Sequence, residues 1–367
     1  MSGSVYGNSF MISTWGESHG EGIGVVVDGC PAGLPLNEEM IQAFLDRRKP
    51  GQTEYSTPRK ENDRLQILSG VFEGVTTGTP ISLIVYNENQ RPYDYSDIAK
   101  FYRPGHADYT YDQKYGFRDY RGGGRSSGRE TTGRVAAGAI ASAILKELGI
   151  TIYTYTKSIG PIMIDDQKCR KDLINESPLN MPDPEASAKA EAYIQELMEE
   201  HNSVGGVIEC IVSGMPAGIG QPVFDKLDAA LAKAIMSIGA VKGVEIGDGF
   251  DVALSTGAEN NDSFFYNNNR ELTKLSNHAG GILGGISDGS EIVLRAAVKP
   301  TASIAKKQRT VNKDNENIEI EVQGRHDPII VPRAVVVVEA MVAITLVDYL
   351  FQGMIARLDR IKEFYNK

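Results

Sequence analysis

The residues best suited to chemistry lie between Arg103 and Arg134, where six arginines, a histidine, three consecutive glycines and a Ser-Ser pair precede an alanine-rich helical pattern. Arginine presents a planar fork of donors to an oxyanion, and glycine lets backbone N–H groups approach it closely. The start of a helix adds partial positive charge. The segment therefore predicts a binding site for a phosphorylated ligand.

Two further segments carry groups that suit the same ligand. Arg47, Arg48 and Lys49, followed by Arg59 and Lys60, form a basic cluster, a pattern that is also typical of a solvated helix end. The segment 299–303 (KPTAS) follows an apolar strand pattern and offers an amine, hydroxyls and backbone N–H groups, although an ordinary strand exit has the same composition. Neither GxxxxGK[ST] nor a strand-borne GxGxxG occurs, which excludes the common nucleotide-binding loops.

Four of the five histidines lie in glycine-rich or charged sequence: His19, His106, His278 and His326. A lone histidine in a loop is usually only solvated, but an imidazolium can also donate a proton to a leaving group near neutral pH. No two histidines have the spacing of HxH or HExxH. The pattern therefore favours acid–base chemistry over a metal site.

Composition narrows the class of protein. The 367 residues carry a formal charge of −10, which argues against non-specific nucleic-acid binding, and 41% are hydrophobic, enough for a buried core. Cys30, Cys169 and Cys210 are widely spaced and odd in number, so we expect reduced thiols in a cytoplasmic protein. The N-terminal residues lack a signal-peptide pattern, and no uninterrupted apolar run reaches the roughly 18 residues of a membrane span.

The elements that must position these residues appear twice. Three matches occur in the same order in both halves: DGCPAGL at 28–34 with SGMPAGI at 213–219, GVTTGTPISL at 74–83 with GISDGSEIVL at 285–294, and RVAAGAIASAIL at 134–145 with RAVVVVEAMVAI at 333–344. One match alone would be chance, but three in order favour duplication. We expect a single domain over 1–367, with pseudo-repeats at about 22–149 and 204–352 and an insertion at about 168–201.

The last helical pattern of each half is apolar nearly all round, which predicts a helix buried on both sides. Val335 to Val338 would also fit a buried strand, but the length of the apolar pattern favours a helix. Helices without a polar face suggest a layer between sheets, an α+β fold. Arg325 to Asp327 precede the second helix as the arginine block precedes the first, and we expect them to form the second wall of one pocket.

Long blocks of this sequence resemble the chorismate synthase family, in the family's order and over nearly the whole chain. They are GESHG at 16–20, RRKPGQ at 47–52, LSGVFEGVTTGTPI at 68–81, the block at 103–131, VKGVEIGDGF at 241–250, NHAGGILGGISDG at 277–289, KPTAS at 299–303 and GRHDP at 324–328. Blocks of this length are far more specific than a single short motif.

The resemblance implies a lyase of the shikimate pathway that converts 5-enolpyruvylshikimate 3-phosphate to chorismate and phosphate by 1,4-anti elimination. It implies a need for reduced FMN without net redox change, with NADPH only as an indirect source of reducing equivalents. It also implies a β-α-β sandwich of helices between antiparallel sheets and a homotetramer. Whether the chain reduces its own FMN or depends on an external flavin reductase is left open, and its length favours the external source.

The resemblance also implies roles for particular residues. His19 would protonate the departing phosphate, His106 would tune the protonation of the reduced flavin, and Asp327 would help handle the proton at its N5 atom. The substrate charges would meet Arg48, Arg59, Arg103, Arg129, Arg134 and Arg325. The flavin-contacting positions would be Arg48, Arg125, Ser126, Ser127, Gly239, Ala240, Gly284, Lys299, Pro300, Thr301, Ala302, Ser303 and Arg325.

Three positions depart from the family pattern. Glu54 stands where many bacterial members have arginine, which removes a cation near the substrate or nucleotide region. Gly239 replaces a more usual asparagine and Ala302 a more usual serine, which alters individual flavin contacts.

Two other functions fit parts of the sequence. The RGGGRSSGRE stretch with nearby tyrosines would suit RNA, but it is single and unrepeated in an acidic chain. The same pocket would suit a flavin oxidoreductase, but no dinucleotide fingerprint accompanies it.

Overall fold

The computed structural model describes residues 3–51, 55, 62–87, 97–120, 123–321 and 327–366. The first half of the chain forms, in order, β1 (Val5–Tyr6), β2 (Met11–Gly16), β3 (Gly22–Asp28), α1 (Glu38–Arg48), β4 (Leu65–Ile67), β5 (Val71–Phe72), β6 (Val75–Thr76), β7 (Ile81–Tyr86), α2 (Asp108–Tyr115) and α3 (Thr131–Glu147). Short 3-10 turns at 124–126 and 128–130 lead into α3.

The rest of the chain begins with β8 (Thr151–Ile159), β9 (Ile162–Met163), α4 (Pro184–Glu199), β10 (Gly206–Ser213), α5 (Leu227–Met236), β11 (Val241–Ile246) and α6 (Gly257–Asn260). It continues with β12 (Phe264–Tyr266), β13 (Leu272–Lys274), β14 (Ile282–Leu283), β15 (Ile286–Ser287), β16 (Ile292–Val298), β17 (Lys307–Val311), β18 (Asn317–Glu321), α7 (Val331–Gly353) and α8 (Leu358–Tyr365).

Two five-stranded antiparallel sheets enclose the long helices. The first sheet has the order β1-β2-β3-β7-β4, and the second has β9-β8-β10-β16-β11. Helix α3 packs on β2, β3 and β7, helix α7 packs on β8 and β10, and the two helices pack on each other. The expected α+β sandwich with buried helices between antiparallel sheets is therefore confirmed.

Four strands of each sheet follow the same order, β2-β3-β7-β4 in the first and β8-β10-β16-β11 in the second, and one contact repeats in detail. The Thr76 hydroxyl donates to Pro31 O (2.6 Å) and accepts from the Leu34 N–H (3.0 Å). In the second half the Ser287 hydroxyl donates to Pro216 O (2.6 Å) and accepts from the Ile219 N–H (2.9 Å). These contacts hold the two Pro-Ala-Gly loops alike, which supports the proposed repeats at about 22–149 and 204–352; their bounds and the insertion at 168–201 stay predictions.

Helix α7 is the centre of the core and is helical through Val335–Val338, as the length of the apolar pattern predicts. By length and composition it could cross a membrane, but 83% of its most apolar window is buried inside the protein, as in a core helix. Its two buried acids have partners: Glu339 pairs with Arg47, and Asp348 accepts the backbone N–H groups of 8–10. Burying these carboxylates is tolerated because each one is hydrogen-bonded.

Helices α3 and α7 cross where Gly138 meets Ala340. A Cβ atom built on Gly138 would lie only 2.2 Å from the Ala340 Cβ. Glycine therefore lets the two backbones approach closely. The start of each helix consequently has a fixed position relative to the other half of the molecule.

Candidate functional site

His19 lies in the short loop between β2 and β3. Its side chain is buried, and its Nδ1 lies 3.1 Å from the Ser18 hydroxyl. The loop is held from outside by the side-chain amide of Asn87, which donates to Glu17 O (3.0 Å) and Gly20 O (2.8 Å). Asn87 follows β7, so the first sheet itself fixes the position of this histidine.

Arg48 and Arg129 meet at one carboxylate next to that loop. Arg48 ends α1 and Arg129 precedes α3, and the two guanidinium groups bind opposite oxygens of Asp63. The Arg129 Nη1 to Asp63 Oδ1 distance is 2.7 Å, and the Arg129 Nε donates to Asn87 Oδ1 at 2.6 Å. Two of the predicted substrate arginines therefore lie together and connect to the loop of His19.

Arg333 links this cluster to Asp327. Its Nε donates to the backbone oxygen of Arg48 at 3.1 Å, and its Nη1 binds Asp327 Oδ2 at 2.7 Å. Burial lowers the pKa of the Arg333 guanidinium, while the charge of Asp327 opposes that change. The carboxylate predicted for proton handling is therefore held by the first turn of α7.

The loop 299–303 lies on the other side of Asp327. Two neighbouring residues connect the two segments. Val204 forms a bridge with Ile329, and its N–H donates to Pro328 O (3.0 Å). The Ser203 hydroxyl donates to Thr301 O (2.7 Å). The Lys299 N–H donates to Ala240 O at 2.9 Å, which places Gly239 and Ala240 beside the same loop. Ala240 has a φ of +72°, a strained backbone that is typical of functional loops.

The loop that contains His106 touches 299–303 directly. The His106 Nε2 lies 2.8 Å from the Ser303 hydroxyl, and the Lys299 amine donates to Gly105 O at 2.8 Å. At Gly105 the φ is +72° and an added Cβ would lie 2.9 Å from the Ala302 Cβ, so only glycine fits. A loop of the first half, which carries His106, therefore meets the loop 299–303 of the second half.

Arg103 joins this contact to the glycine-rich loop. Its Nε and Nη2 bind the two oxygens of Asp108 at 2.8 Å each, and Nη2 would lie 4.0 Å from a Cβ atom on Gly123. Burial alone would raise the pKa of Asp108, but the hydrogen bonds and charge of Arg103 outweigh it and hold that pKa below its usual value. Gly124 in turn lies beside the Glu17 carboxylate, next to His19.

Hydrogen bonds and ion pairs link most of these residues in series, and close approaches at Gly123 and Gly124 complete a ring that contains residues from both halves. Its members, in order, are the loop 17–20, Asn87, Arg129, Asp63, Arg48, Arg333, Asp327 with Pro328, Val204 with Ser203, Thr301, Ser303, His106, Arg103 and Gly123–Gly124. The ring therefore links the three predicted catalytic residues with three predicted substrate arginines. Imidazoles, guanidinium groups and a carboxylate in one place can bind an anion and move protons.

Three further predicted site residues, Arg125, Ser126 and Ser127, are not members of the ring. Arg125 donates to Gly16 O (3.1 Å) and to Thr14 Oγ1 (2.6 Å), and the Ser126 hydroxyl donates to Gly123 O (2.7 Å). The Ser127 hydroxyl accepts the Arg129 N–H at 3.3 Å. These groups lie beside the ring and form hydrogen bonds within the protein.

Arg134 and Gly284 lie apart from the ring. Arg134 binds Glu130 (3.0 Å) and donates to the hydroxyl (2.6 Å) and carbonyl (3.2 Å) of Ser237. Gly284 is in the turn of the β14–β15 hairpin, at the opposite end of β16 from Lys299, roughly 20 Å away by strand rise. Arg59, Arg325, His326 and Glu54 lie outside the described residues.

The loop 299–303 fits a phosphate-bearing cofactor. Thr301 Oγ1 is buried and has no hydrogen-bond partner in the described part of the chain, which marks a polar atom that a ligand would satisfy. The Lys299 amine lies at the same loop, and hydroxyl and amine donors suit a phosphate oxygen. A flavin phosphate would therefore find donors at this side of the ring.

Three residues of the ring were not predicted from the sequence: Asp63, Asn87 and Arg333. Asp63 and Asn87 stand in short polar stretches without a motif of their own. Arg333 could have been found, because it opens α7 as Arg134 opens the matching pattern in the first half. The internal repeat aligns the two arginines, but the family resemblance implies a role only for Arg134.

Comparisons with known proteins point to one family. A family model described as chorismate synthase matches residues 10–351. The chain is 70% identical to a chorismate synthase of Lachnoclostridium phytofermentans and 67% identical to one of Lachnospira eligens, each over 367 residues and the whole of both chains. It is 50% identical to one of Chloroflexus aurantiacus over 98% of both chains. A solved structure of a chorismate synthase matches with a TM-score of 0.76 and 32% identity, over 98% of this chain and 97% of that one.

Proposed function

Because this chain belongs to the chorismate synthase family of shikimate-pathway lyases, we propose that it converts 5-enolpyruvylshikimate 3-phosphate to chorismate and phosphate by 1,4-anti elimination with bound reduced FMN. The observation that supports the proposal is the ring, which links His19, His106 and Asp327 with arginines from both halves. A substrate with a phosphate and carboxylates needs such a set of cations.

Each part of the ring has a proposed task. Arg48, Arg103 and Arg129 bind the charged groups of the substrate, together with Arg59 and Arg325, for which the resemblance is the only support. His19, buried in the loop that connects β2 and β3, donates a proton to the leaving phosphate. Positioned acids of this kind typically contribute 10²–10⁴-fold to a rate.

The second-half loop would hold the cofactor. Lys299, Thr301, Ala302 and Ser303, with Gly239 and Ala240, would bind FMN, and the contact between His106 and Ser303 supports a place for His106 at that ligand. When bound, reduced FMN supplies reducing equivalents transiently, without net redox change. Asp327, held by Arg333, would accept and return a proton on the cofactor side.

The proposal also covers the oligomeric state of the protein, its location and its source of reduced FMN. Exposed Phe224, Phe250 and Leu254 support interfaces in a homotetramer. The free cysteines support a reducing, cytoplasmic location. We propose that an external flavin reductase supplies reduced FMN and that NADPH acts only through it.

Anaerobic turnover tests the proposal. Purified protein with photoreduced FMN and 5-enolpyruvylshikimate 3-phosphate should form chorismate, and NADPH with oxidised FMN alone should not. Replacing His19 and His106 together by alanine should reduce kcat at least about 100-fold. Full activity of that double variant would refute their assignment, and steady NADPH oxidation without substrate would favour an oxidoreductase.

A further inference from the structure

We propose that Asp63 is a positioning residue, which holds the guanidinium groups of Arg48 and Arg129 at a fixed spacing for the substrate anion; this rests on the proposed function. Its carboxylate binds Arg48 through one oxygen and Arg129 through the other, at 2.7 Å for Arg129. The exposed fractions of the three side chains are 0% for Asp63, 3% for Arg48 and 7% for Arg129. Burial of this degree limits the access of water to these bonds and strengthens them, which favours a fixed geometry.

The backbone of Asp63 is also held in place. Its φ is +47°, in the left-handed region that aspartate and asparagine tolerate better than most residues. The Gln42 side-chain amide donates to the backbone oxygen of Asp63 (3.3 Å) and accepts from the Leu65 N–H (3.0 Å). Helix α1 therefore fixes the carboxylate and Arg48 together, because Gln42 and Arg48 belong to the same helix.

Arg48 retains a donor beside the shared carboxylate. Asp63 binds two guanidinium groups, and in the described residues the buried Arg48 Nε has no acceptor. The nearby Asp327 is paired with Arg333. A buried guanidinium with an unused donor is suited to a second anion, and phosphate is one that guanidinium binds well.

This arrangement gives Asp63 a role that differs from substrate binding. The carboxylate competes with the substrate anion for the same cations, so it does not strengthen binding. It fixes where the cations stand, and a displacement of about 1 Å in such a site can reduce the rate about 100-fold. Loss of Asp63 should therefore lower kcat without raising KM.

The Asp63→Asn variant tests this directly. Asparagine keeps the backbone geometry, but its amide nitrogen presents donors to one of the guanidinium groups. We expect kcat about 100-fold lower with KM for the substrate unchanged or lower. The matched control is Asp348→Asn, because Asp348 is also a buried, multiply hydrogen-bonded carboxylate and lies roughly 20 Å along α7 from Arg333. That control should lose thermal stability and keep kcat and KM.

A kcat for Asp63→Asn within threefold of wild type, or a loss confined to a more than tenfold rise in KM, would overturn the proposal. If this variant does not fold, Asp63→Glu takes its place, since it retains the charge and displaces it by one methylene. Its kcat should fall about tenfold or more with KM unchanged, and wild-type kcat in that variant would likewise overturn the proposal.

A second measurement does not depend on turnover. Inorganic phosphate should raise the unfolding temperature of Asp63→Asn more than that of wild type or Asp348→Asn, because the anion replaces the missing carboxylate between two buried cations. Equal phosphate-induced shifts in all three proteins would overturn the role of Asp63. Absence of chorismate formation by wild type, with the larger shift preserved, would instead refute the proposed function alone.

Discussion

The two central helices begin alike and anchor to opposite halves of the molecule. At the start of α7, Arg333 donates to the backbone oxygen of Arg48, the last residue of α1. Near the start of α3, Arg134 donates to the backbone oxygen of Ser237, which caps the end of α5. Helices α1 and α5 are counterparts in the two halves. Each final helix is therefore tied to the helix of the other half.

The surroundings of the two arginines differ. Arg333 pairs with Asp327 and adjoins Arg48 and its partner Asp63, so it lies inside the ring of contacts. Arg134 pairs with Glu130 and also contacts Ser237 and the Met341 sulfur. The anchor occurs in both halves, whereas in the described residues the charged network of the ring surrounds the copy at Arg333. We therefore expect corresponding substitutions at the two anchors to have unequal effects.

The largest difference should separate the two carboxylates. Asp327→Asn should lower kcat/KM about 1,000-fold, because the variant cannot accept a proton at the cofactor side. Glu130→Gln is the matched substitution at the other anchor and should cost no more than about tenfold. Anaerobic chorismate formation measures both, and equal losses would contradict the distinction between the anchors.

The two arginines should follow the same order with smaller effects. Arg333→Met removes the cation of Asp327 and the donor to Arg48 O, and should lower kcat/KM about 100-fold through misplacement of both groups. Arg134→Met should cost about tenfold or less, since its partners are Glu130 and Ser237. Steady-state kinetics measure both losses of kcat/KM. If the loss in Arg134→Met is as large as in Arg333→Met and arises from a higher KM, Arg134 contacts the substrate, as the resemblance implies.

A substitution at the helix crossing should disturb both anchors through stability. Gly138→Ala places a Cβ 2.2 Å from that of Ala340, and overpacking of this kind costs about 1–3 kcal/mol. Denaturant unfolding should show this loss, and Ala340→Gly in the same protein should recover part of it. No loss in the single variant would mean that the crossing is not closely packed.

The smallest expected effect concerns Asp262, in the segment 247–281 that connects β11 to β14. This segment is much longer than the corresponding first-half segment 68–70, which connects β4 to β5. Burial would raise the pKa of Asp262, but hydrogen bonds from Ser276 and the N–H groups of Ala279 and His278 lower it to about 2. A carboxyl with a lowered folded-state pKa stabilises the fold above its unfolded value near 4. That contribution, about 2 kcal/mol, is lost as the pH falls toward 2.

Unfolding free energies of wild type and Asp262→Asn at pH 5 and pH 2 measure this contribution. Wild type should lose about 2 kcal/mol more than the variant between the two pH values. Parallel pH dependence in the two proteins would show that these hydrogen bonds do not stabilise the ionised form.

The sequence predicted those features of the fold that follow from hydrophobic periodicity and internal repeats. The all-round apolar character of α3 and α7 predicted a buried helical layer, and the four strands that follow the same order in the two sheets support the three ordered repeats. The positions of the loops relative to the helices predicted that Arg325 to Asp327 and the arginine block form two walls of one pocket, which stays a prediction; the contact of 103–108 with 299–303 supports such a meeting of the halves. These features follow from hydrophobic periodicity and symmetry, which a single sequence carries.

The sequence could not predict which charges would pair. Asp63 and Asn87 have no motif, and their role arises because β7 and the end of α1 bring them to the same corner. Arg125 and Arg134 were predicted to contact ligands, which stays a prediction; within the protein they bind carbonyls, hydroxyls and carboxylates, which the sequence did not indicate. Side-chain pairing depends on three-dimensional distances, which no spacing along the chain determines.

The most direct test of the central claim is the stoichiometry of a single anaerobic turnover. Wild-type protein in excess over 5-enolpyruvylshikimate 3-phosphate should release one chorismate and one phosphate per substrate with photoreduced FMN, and the FMN should end the turnover still reduced. Oxidised FMN should give neither product. Phosphate release that is equal with oxidised FMN, or that leaves one FMN oxidised per turnover, would contradict the account.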